Sequence, residues 1–440
     1  MSSVIRKAPF RFSTAPKGWV IFQKEKNTIV RAWTILGQVS GSDAVGLVEK
    51  MRSEGATLRE IPAHWLALPT GIDLQVHLRH PGQAHKETLE GGLESALYGG
   101  YDSVVTMPNT QPFLDKPEAL RAAIESWEDR AADYPVRVGF TASATVGMQG
   151  QEAADIDALA KAGAVAITDD GWGVKSDQAQ AKIFAACAAN DLLFQQHAET
   201  PGHKGVTPES AFQKSQGLPV YPRDAESSMV ARDIALLRKT PKARYHILHI
   251  STRETLAEIR KAKAEGLNVT AEVTPHHLFF SNADIPLSEG AESTNFKMNP
   301  PLFAPEDRAA LREALRDGTI DCVSTDHAPH ELALKKQGWI KSPFGTRGME
   351  TALSVLTTLV KEGELSLSRL VEVFSTVPRK ILHRAEFAHS TGLVFVDPIA
   401  DFKVGLADLP GLSENSCFLG TTLHGRIEIR GETHRLYERA

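Results

Sequence analysis

Gly71-Ile72-Asp73-Leu74-Gln75-Val76-His77-Leu78-Arg79 decides how this 440-residue chain is read. Apolar and polar residues alternate through it, the period of a strand whose side chains point to opposite faces in turn. Gln75 and His77 therefore share a face. Two histidines at that spacing grip one metal ion together. Here the first position holds glutamine, whose neutral amide oxygen is a weaker zinc donor than imidazole. The stretch reads as a strand that ends in a metal-ligand pair with one partner exchanged.

Downstream, the same kind of run recurs. Eight strand-like segments, Leu68–Leu78, Tyr101–Asn109, Val136–Thr145, Ala164–Asp170, Leu192–Glu199, Arg244–Ser251, Asn268–His277 and Asp321–His330, alternate with helical ones. The helical segments include Lys86–Tyr98, Pro117–Ala132, Asp177–Ala189, Ala225–Arg238, Thr255–Ala264 and Pro305–Leu315. In Thr255–Ala264, Leu256 and Ile259 share one face and leave Glu254, Glu258, Arg260 and Lys261 for solvent. Eight strand–helix repeats predict a parallel (β/α)8 barrel of TIM type. Seven of the runs end in polar residues: His77/Arg79, Asn109, Asp169/Asp170, His197, His249, His276/His277 and Asp326/His330. Chemistry in such barrels sits at the C-terminal ends of the strands.

Short strand-like runs also flank the barrel. Trp19–Phe22 and Thr28–Ile35 precede a helix expected at Ser42–Glu54, while Phe402–Val404, Thr422–Leu423 and Arg426–Ile429 follow a last helix near Leu367–Leu382. They predict a small β-sandwich-like domain assembled from residues 1–66 and 386–440 around a barrel of residues 67–385. Hydrophobic content of 42%, charged content of 23% and a mean hydropathy of -0.21 describe a globular chain with no stretch long and apolar enough for a membrane helix. A net charge of -5 without a long basic run gives no reason to expect nucleic acid. Residues 1–14 lack the apolar core of a secretory signal, so a cytoplasmic protein is expected. Cys187, Cys322 and Cys417 are odd in number, far apart and without a CxxC pair. They read as buried small hydrophobes rather than a disulfide framework.

A hydrolase working through two metal ions needs several imidazoles and a carboxylate able to bridge. One ion would take His77, Asp170 and Asp326; the other would take Asp170, His197 and His249. Asp326 could also shuttle a proton from the attacking water to a leaving nitrogen. Taken one at a time these residues have plainer readings. A lone His197 or His249 is a hydrogen-bonded core histidine, Asp169-Asp170-Gly171 is a capped turn, and Arg79 is a surface ion pair. Convergence at seven strand ends favours a shared site. His80, His64, His85, His203 and His424 are set aside as ligands, one of His276 and His277 is expected to face the pocket, and Phe279-Phe280 is expected in the core.

Gly71–Arg79 together with Pro81-Gly82, His85–Thr88, Met107-Pro108-Asn109-Thr110, Thr168–Gly171, Gln196–Glu199, His246–Ser251, Thr270–His277, Asn295–Pro301, Gly318–His330 and Pro343–Glu350 resembles, in order, the dihydroorotases of the amidohydrolase superfamily. The resemblance is to the bacterial class with an aspartate at the metal bridge and spans about residues 67–385. It implies zinc, one or two ions, on His77, Asp170, His197, His249 and Asp326, with Asp170 preferred to Asp169 for its spacing to His197 and Asp326 also acting as acid and base. It implies Arg79, Asn109 and Asn299 as contacts to the substrate's carboxylate and ring, with His330 and Pro343-Phe344-Gly345 lining the ring pocket. Arg79 with Asn109 separates this pattern from hydantoinases and allantoinases. The implied reaction is reversible cyclisation of N-carbamoyl-L-aspartate to L-dihydroorotate in pyrimidine synthesis. A homodimer is the habit of the family. Gln75 departs from the pattern and opens an alternative, an impaired relative that scaffolds aspartate carbamoyltransferase.

Overall fold

A computed structural model describes residues 10–15, 17, 19–34, 37–130, 133–287, 290–432 and 435–439. The chain begins with strands β1 (Phe10–Thr14), β2 (Trp19–Glu25), β3 (Thr28–Thr34) and β4 (Gly37–Ser40), helix α1 (Gly41–Ser53), and strands β5 (Thr57–Ile61) and β6 (Leu66–Pro69). Strand β2 is buried on both faces, and its alternation decides what each face meets. Val20 and Phe22 pack with Ala32 against Ala44 and Val48 of α1. Trp19 and Ile21 turn the other way, to join Trp33, Ile61, Phe395, Ile429 and Leu436.

That second cluster spans two sheets. One has the order β4-β3-β2-β5; the other joins β1 and β6 to the C-terminal strands β15 (Leu393–Lys403), β16 (Thr422–Glu432) and β17 (Arg435–Arg439), in the order β1-β17-β16-β15-β6. Trp33 meets Phe395 edge to face across the layer, with ring centroids 5.7 Å apart. The two ends of the chain thus form a sandwich. The short runs expected near residues 402–404 and 422–429 belong to two 11-residue strands, and Ile35 lies outside the described residues.

Between these ends, β7 (Gly71–Val76), β8 (Tyr101–Thr106), β9 (Arg137–Ser143), β10 (Ala166–Thr168), β11 (Leu193–Gln196), β12 (Arg244–Ile247), β13 (Val269–Val273) and β14 (Cys322–Val323) pair in sequence order in one eight-stranded parallel sheet. Helices lie between the strands, as the alternation predicts. In Arg253–Ala264, Leu256, Ile259 and Ala262 are buried and Thr252 caps the N-terminus, Leu256 and Ile259 contributing roughly 1.5–3 kcal/mol each. The last strand meets the first through a single bridge, Val76 with His327, a His77 N–H bond to the His327 carbonyl of 2.9 Å, and Asp73. The Asp73 carboxyl accepts from the Thr325 amide at 3.1 Å and the Thr325 hydroxyl at 2.6 Å.

Two expectations need correction. Leu68–Leu78 is not one strand: β6 pairs with β15 and β7 with β8, and the break falls at Thr70. The first residue of β7 is glycine because a Cβ there would lie 2.6 Å from the Phe374 ring. Most barrel strands are also shorter than their apolar runs. β14 has only two residues, and His276 and His277 sit on a short helix, Pro275–Phe279, capped by Thr274. The polar run ends are therefore mostly loop positions just past the ladder. Helix Leu367–Val371 continues through a wider turn to Val377–Leu382, where Ile381 and Leu382 pack on the inner residues Ile72, Leu74, Val105 and Leu193. The three cysteines are free and buried. Among the described residues no helix is long and apolar enough to cross a membrane.

Candidate active site

Three of the expected site residues lie where the backbone takes a left-handed turn: Arg79 at φ 60°, His249 at φ 34° and Asp326 at φ 47°. Such a conformation costs an L-residue about 1–2 kcal/mol. It aims a side chain inward just as the chain leaves its strand, and the surrounding barrel holds it there.

The ligand candidates gather in two groups around Asp170. On one side Asp170 Oδ1 is 3.6 Å from His197 Nδ1 and 3.6 Å from His249 Nε2, and these two nitrogens are 2.9 Å apart. On the other, His77 Nε2 is 3.2 Å from Asp170 Oδ2 and 3.0 Å from Asp326 Oδ1. Donors around a zinc-sized ion with bonds of about 2.1 Å stand roughly 3.4 Å apart in a tetrahedron, so both groups have spacing suited to a divalent cation. Asp170 faces the imidazoles. Asp169 instead closes a turn, accepting from the Ala144 and Thr145 amides at 2.9 and 3.0 Å.

Gln75 lies fully buried beside the same carboxylate. Its Nε2 donates to Asp170 Oδ1 at 3.0 Å, and its Oε1 is buried without a hydrogen-bond partner. A carbonyl oxygen turned toward Asp170 would repel it unless a cation lay between them.

Charge at the site points the same way. Burial opposes an imidazolium at His77, but hydrogen bonds to Asp170 and Asp326 outweigh it and raise that ring to about 9. For His197 burial is again overcome, here by Asp170 and Glu199, and the ring rises to about 10. Asp170, despite its own burial, is held well below the usual carboxylate range by His197, His249 and His77. The cluster demands positive charge, from protons or from a metal. A third group of donors, His246, Glu272 and Cys322, is of another kind. His246 is already bonded on both ring nitrogens, to Thr270 Oγ1 at 2.8 Å and Glu272 Oε2 at 2.9 Å.

The two groups open onto a cavity of about 200 Å³, whose walls include Arg79, Asn109, Asn299, His330, Phe344 and Trp172. All four residues expected to contact substrate thus share one space with His77, Asp170, His197 and Asp326, while His249 stands behind them. Arg79 Nε donates to the Pro329 carbonyl at 3.1 Å and Nη2 to His330 Nε2 at 3.1 Å. Burial and the Arg79 charge keep the His330 ring well below its ordinary value. Asn109 accepts at Oδ1 from His77 Nδ1, 2.9 Å away, and so also fixes that ring. Neither His276 nor His277 lines the cavity: His277 is held by Thr274 Oγ1 at 2.8 Å and the Pro300 carbonyl at 3.2 Å, and both His276 nitrogens are buried without a partner. Phe280 is buried and Phe279 packs beside it in the main core.

Other contributors went unforeseen. Glu199 accepts from Asn299 Nδ2 at 2.6 Å and lies 3.5 Å from His197 Nε2. Its place two residues after His197 was the available signal. Trp172 stands 43% exposed at the rim, edge to face with Phe113. Asn415, from the C-terminal segment, accepts the His330 amide at 2.8 Å and donates to the Ala328 and Gly345 carbonyls at 2.9 and 3.1 Å. Nothing local in the sequence marks it.

A family profile described as dihydro-orotase-like matches residues 65–255. The chain is 37% identical over 420 residues to a dihydroorotase of Staphylococcus epidermidis, covering 91% of this chain and 94% of that protein. It is 38% identical over 376 residues to a dihydroorotase of Chlorobaculum tepidum, covering 81% and 84%. Among solved structures the fold is similar to an L-hydantoinase from Arthrobacter aurescens, at TM-score 0.75, 23% identity and 94% coverage of each chain. It is also similar to a Saccharomyces cerevisiae dihydroorotase in complex with 5-fluoroorotic acid, at TM-score 0.66 and 17% identity, covering 83% of this chain and 99% of that one. The identity to the bacterial proteins, spread over nearly the whole length, establishes that the chain belongs to the dihydroorotase family.

Proposed function

We propose that the chain is a metal-dependent cyclic amidohydrolase that interconverts N-carbamoyl-L-aspartate and L-dihydroorotate, using one or two zinc ions. The observation that carries this reading is the single cavity in which the Arg79 guanidinium opens toward the same space as two carboxylate–imidazole groups. His197, His249 and Asp170 suit one ion; His77, Asp170 and Asp326 suit a second. A bound ion would supply an activated water and polarise the ring carbonyl. The chain's own residues do the rest. Arg79, with Nε and Nη2 engaged by Pro329 and His330, is oriented to offer its remaining edge to the substrate carboxylate. Asn109, Asn299 and His330 border the ring. Asp326, tethered through Oδ1 to His77, has a second oxygen free to carry a proton to the departing ring nitrogen in hydrolysis and to take it back in closure.

One observation favours a second reading. Gln75, at the position the family pattern gives to a histidine, offers no imidazole and donates to Asp170 Oδ1. An impaired protein of this kind would act as a scaffold for aspartate carbamoyltransferase. Metal content by mass spectrometry beside a dihydroorotate ring-opening assay with added zinc separates the two. Metal with turnover supports the enzyme, as a homodimer or otherwise. An inert protein that co-purifies with aspartate carbamoyltransferase supports the scaffold. Hydrolysis of hydantoin in preference to dihydroorotate would overturn the substrate assignment.

A further inference from the structure

The excursion from His330 to Thr346 returns to the cavity as Pro343-Phe344-Gly345, and Phe344 and Gly345 form part of its wall. Two buried lysines meet this return. Lys335, fully buried at the end of helix Leu332–Lys335, points Nζ at three backbone carbonyls: Gly345 at 2.9 Å, Pro343 at 3.1 Å and Lys297 at 3.4 Å. Lys297, 2% exposed, donates to the Ser342 carbonyl at 2.6 Å and stands 4.4 Å from the centroid of the Phe344 ring. Neither ammonium has a carboxylate within ion-pair distance among the described residues. A buried charge without a counter-ion is costly and is retained where its hydrogen bonds are complete. An ammonium has three N–H groups, and Lys335 has three carbonyls to receive them.

Gly345 explains why the segment needs holding. Its φ of +129° is open to glycine, and a Cβ would lie 2.7 Å from Ala328 Cβ and 3.2 Å from His330 Cδ2. The wall therefore presses directly on the loop that carries Asp326 and His330. Its amide donates to the Lys297 carbonyl at 2.9 Å, so the two lysines and the wall lock each other.

We propose that Lys335 and Lys297 are positioning residues, a two-ammonium clamp on the carbonyls of residues 342–345 that fixes the cavity wall against the substrate ring. The proposal rests on reading the cavity as the dihydroorotate site, and it concerns binding rather than the chemical step. The clamp works in the protonated state, because a neutral amine at Lys335 would turn a lone pair toward a carbonyl. Burial and the Lys297 charge push Lys335 down to about 7, with the Cys417 thiol and His330 the other titratable neighbours; burial pushes Lys297 down to about 8. The protonated clamp is therefore lost as pH rises through this range, and substrate binding is expected to weaken with it.

Lys335→Met keeps the stem and removes the donors. Steady-state kinetics should show KM raised roughly tenfold with kcat within about twofold and zinc content unchanged, and hydrogen–deuterium exchange should speed at residues 344–346. In the wild type KM should rise between pH 7 and 8.5, a rise that Lys335→Met flattens. Lys297→Met should give the same pattern more weakly and serves in its place if Lys335→Met does not fold. Unchanged KM and unchanged exchange in a folded variant would overturn the clamp, as would a loss confined to kcat. A wild type that never turns over dihydroorotate overturns the substrate reading instead, and faster exchange at 344–346 in the variants would still support the clamp.

Discussion

The two groups that share Asp170 differ in one side chain. His197 and His249 bring two imidazoles to Asp170 Oδ1, which also accepts from the Gln75 amide, whereas His77 alone approaches Asp170 Oδ2 and shares its Nε2 with Asp326. An imidazole lone pair suits zinc, while a primary amide can either ligate through oxygen or donate through nitrogen, never both at one atom. The two groups thus offer different donor sets to a cation, two imidazoles and a carboxylate in one and one imidazole with two carboxylates in the other.

The difference between the two groups yields four expected outcomes. Asp170→Asn should remove the anchor of both groups at once, abolishing zinc retention and lowering turnover on the order of 1,000-fold; retained metal would mean that the two groups do not depend on a common bridge. His249→Asn strikes only the complete group and should weaken the tighter zinc by roughly 100-fold in a competition titration with a chelator. Gln75→His should tighten the weaker site by about tenfold and bring the two affinities together; an unchanged titration would show the amide oxygen to be an adequate ligand already. The smallest effect is on stability. Because His77 and His197 are raised from an ordinary 6.5 to about 9 and about 10, their contribution in the metal-free protein is complete below pH 6.5 and lost as pH rises through 9 and 10. Thermal midpoints of the metal-free protein should fall over that interval by roughly 1 °C for each kcal/mol lost, while a metal-loaded protein, whose rings would be neutral donors, should fall less.

Much of this was legible in the sequence because strand alternation and helical periodicity are local. Trp19 through Phe22 announced a strand, and Leu256 and Ile259 the buried face of a helix. That the candidate residues converge on one cavity was legible because each follows an apolar run, and the family pattern preferred Asp170, which faces the imidazoles, to Asp169. Where reading went astray, the cause was tertiary. β14 shrinks to two residues because its continuation turns inward to carry Asp326, and Leu68–Leu78 divides because its first half finds a partner in β15, more than 300 residues away. Asn415, Glu199, Lys297 and Lys335 draw their roles from carbonyls and side chains brought near only by the closed barrel. A lysine that ends up fully buried is indistinguishable, in sequence, from its exposed neighbour Lys336.

The seam between the first and last strands gives the site a history as well as a geometry. His77 and Asp326 are separated by 249 residues, and the barrel joins there through one bridge and a few side-chain bonds. During synthesis, Asp170, His197 and His249 leave the ribosome together and can meet while the barrel is still an open sheet, whereas the pair at the seam waits for the final strand. The donor group of His77, Asp170 and Asp326 therefore exists only once the ring of strands has closed, whereas that of Asp170, His197 and His249 needs only the strands from β10 to β12.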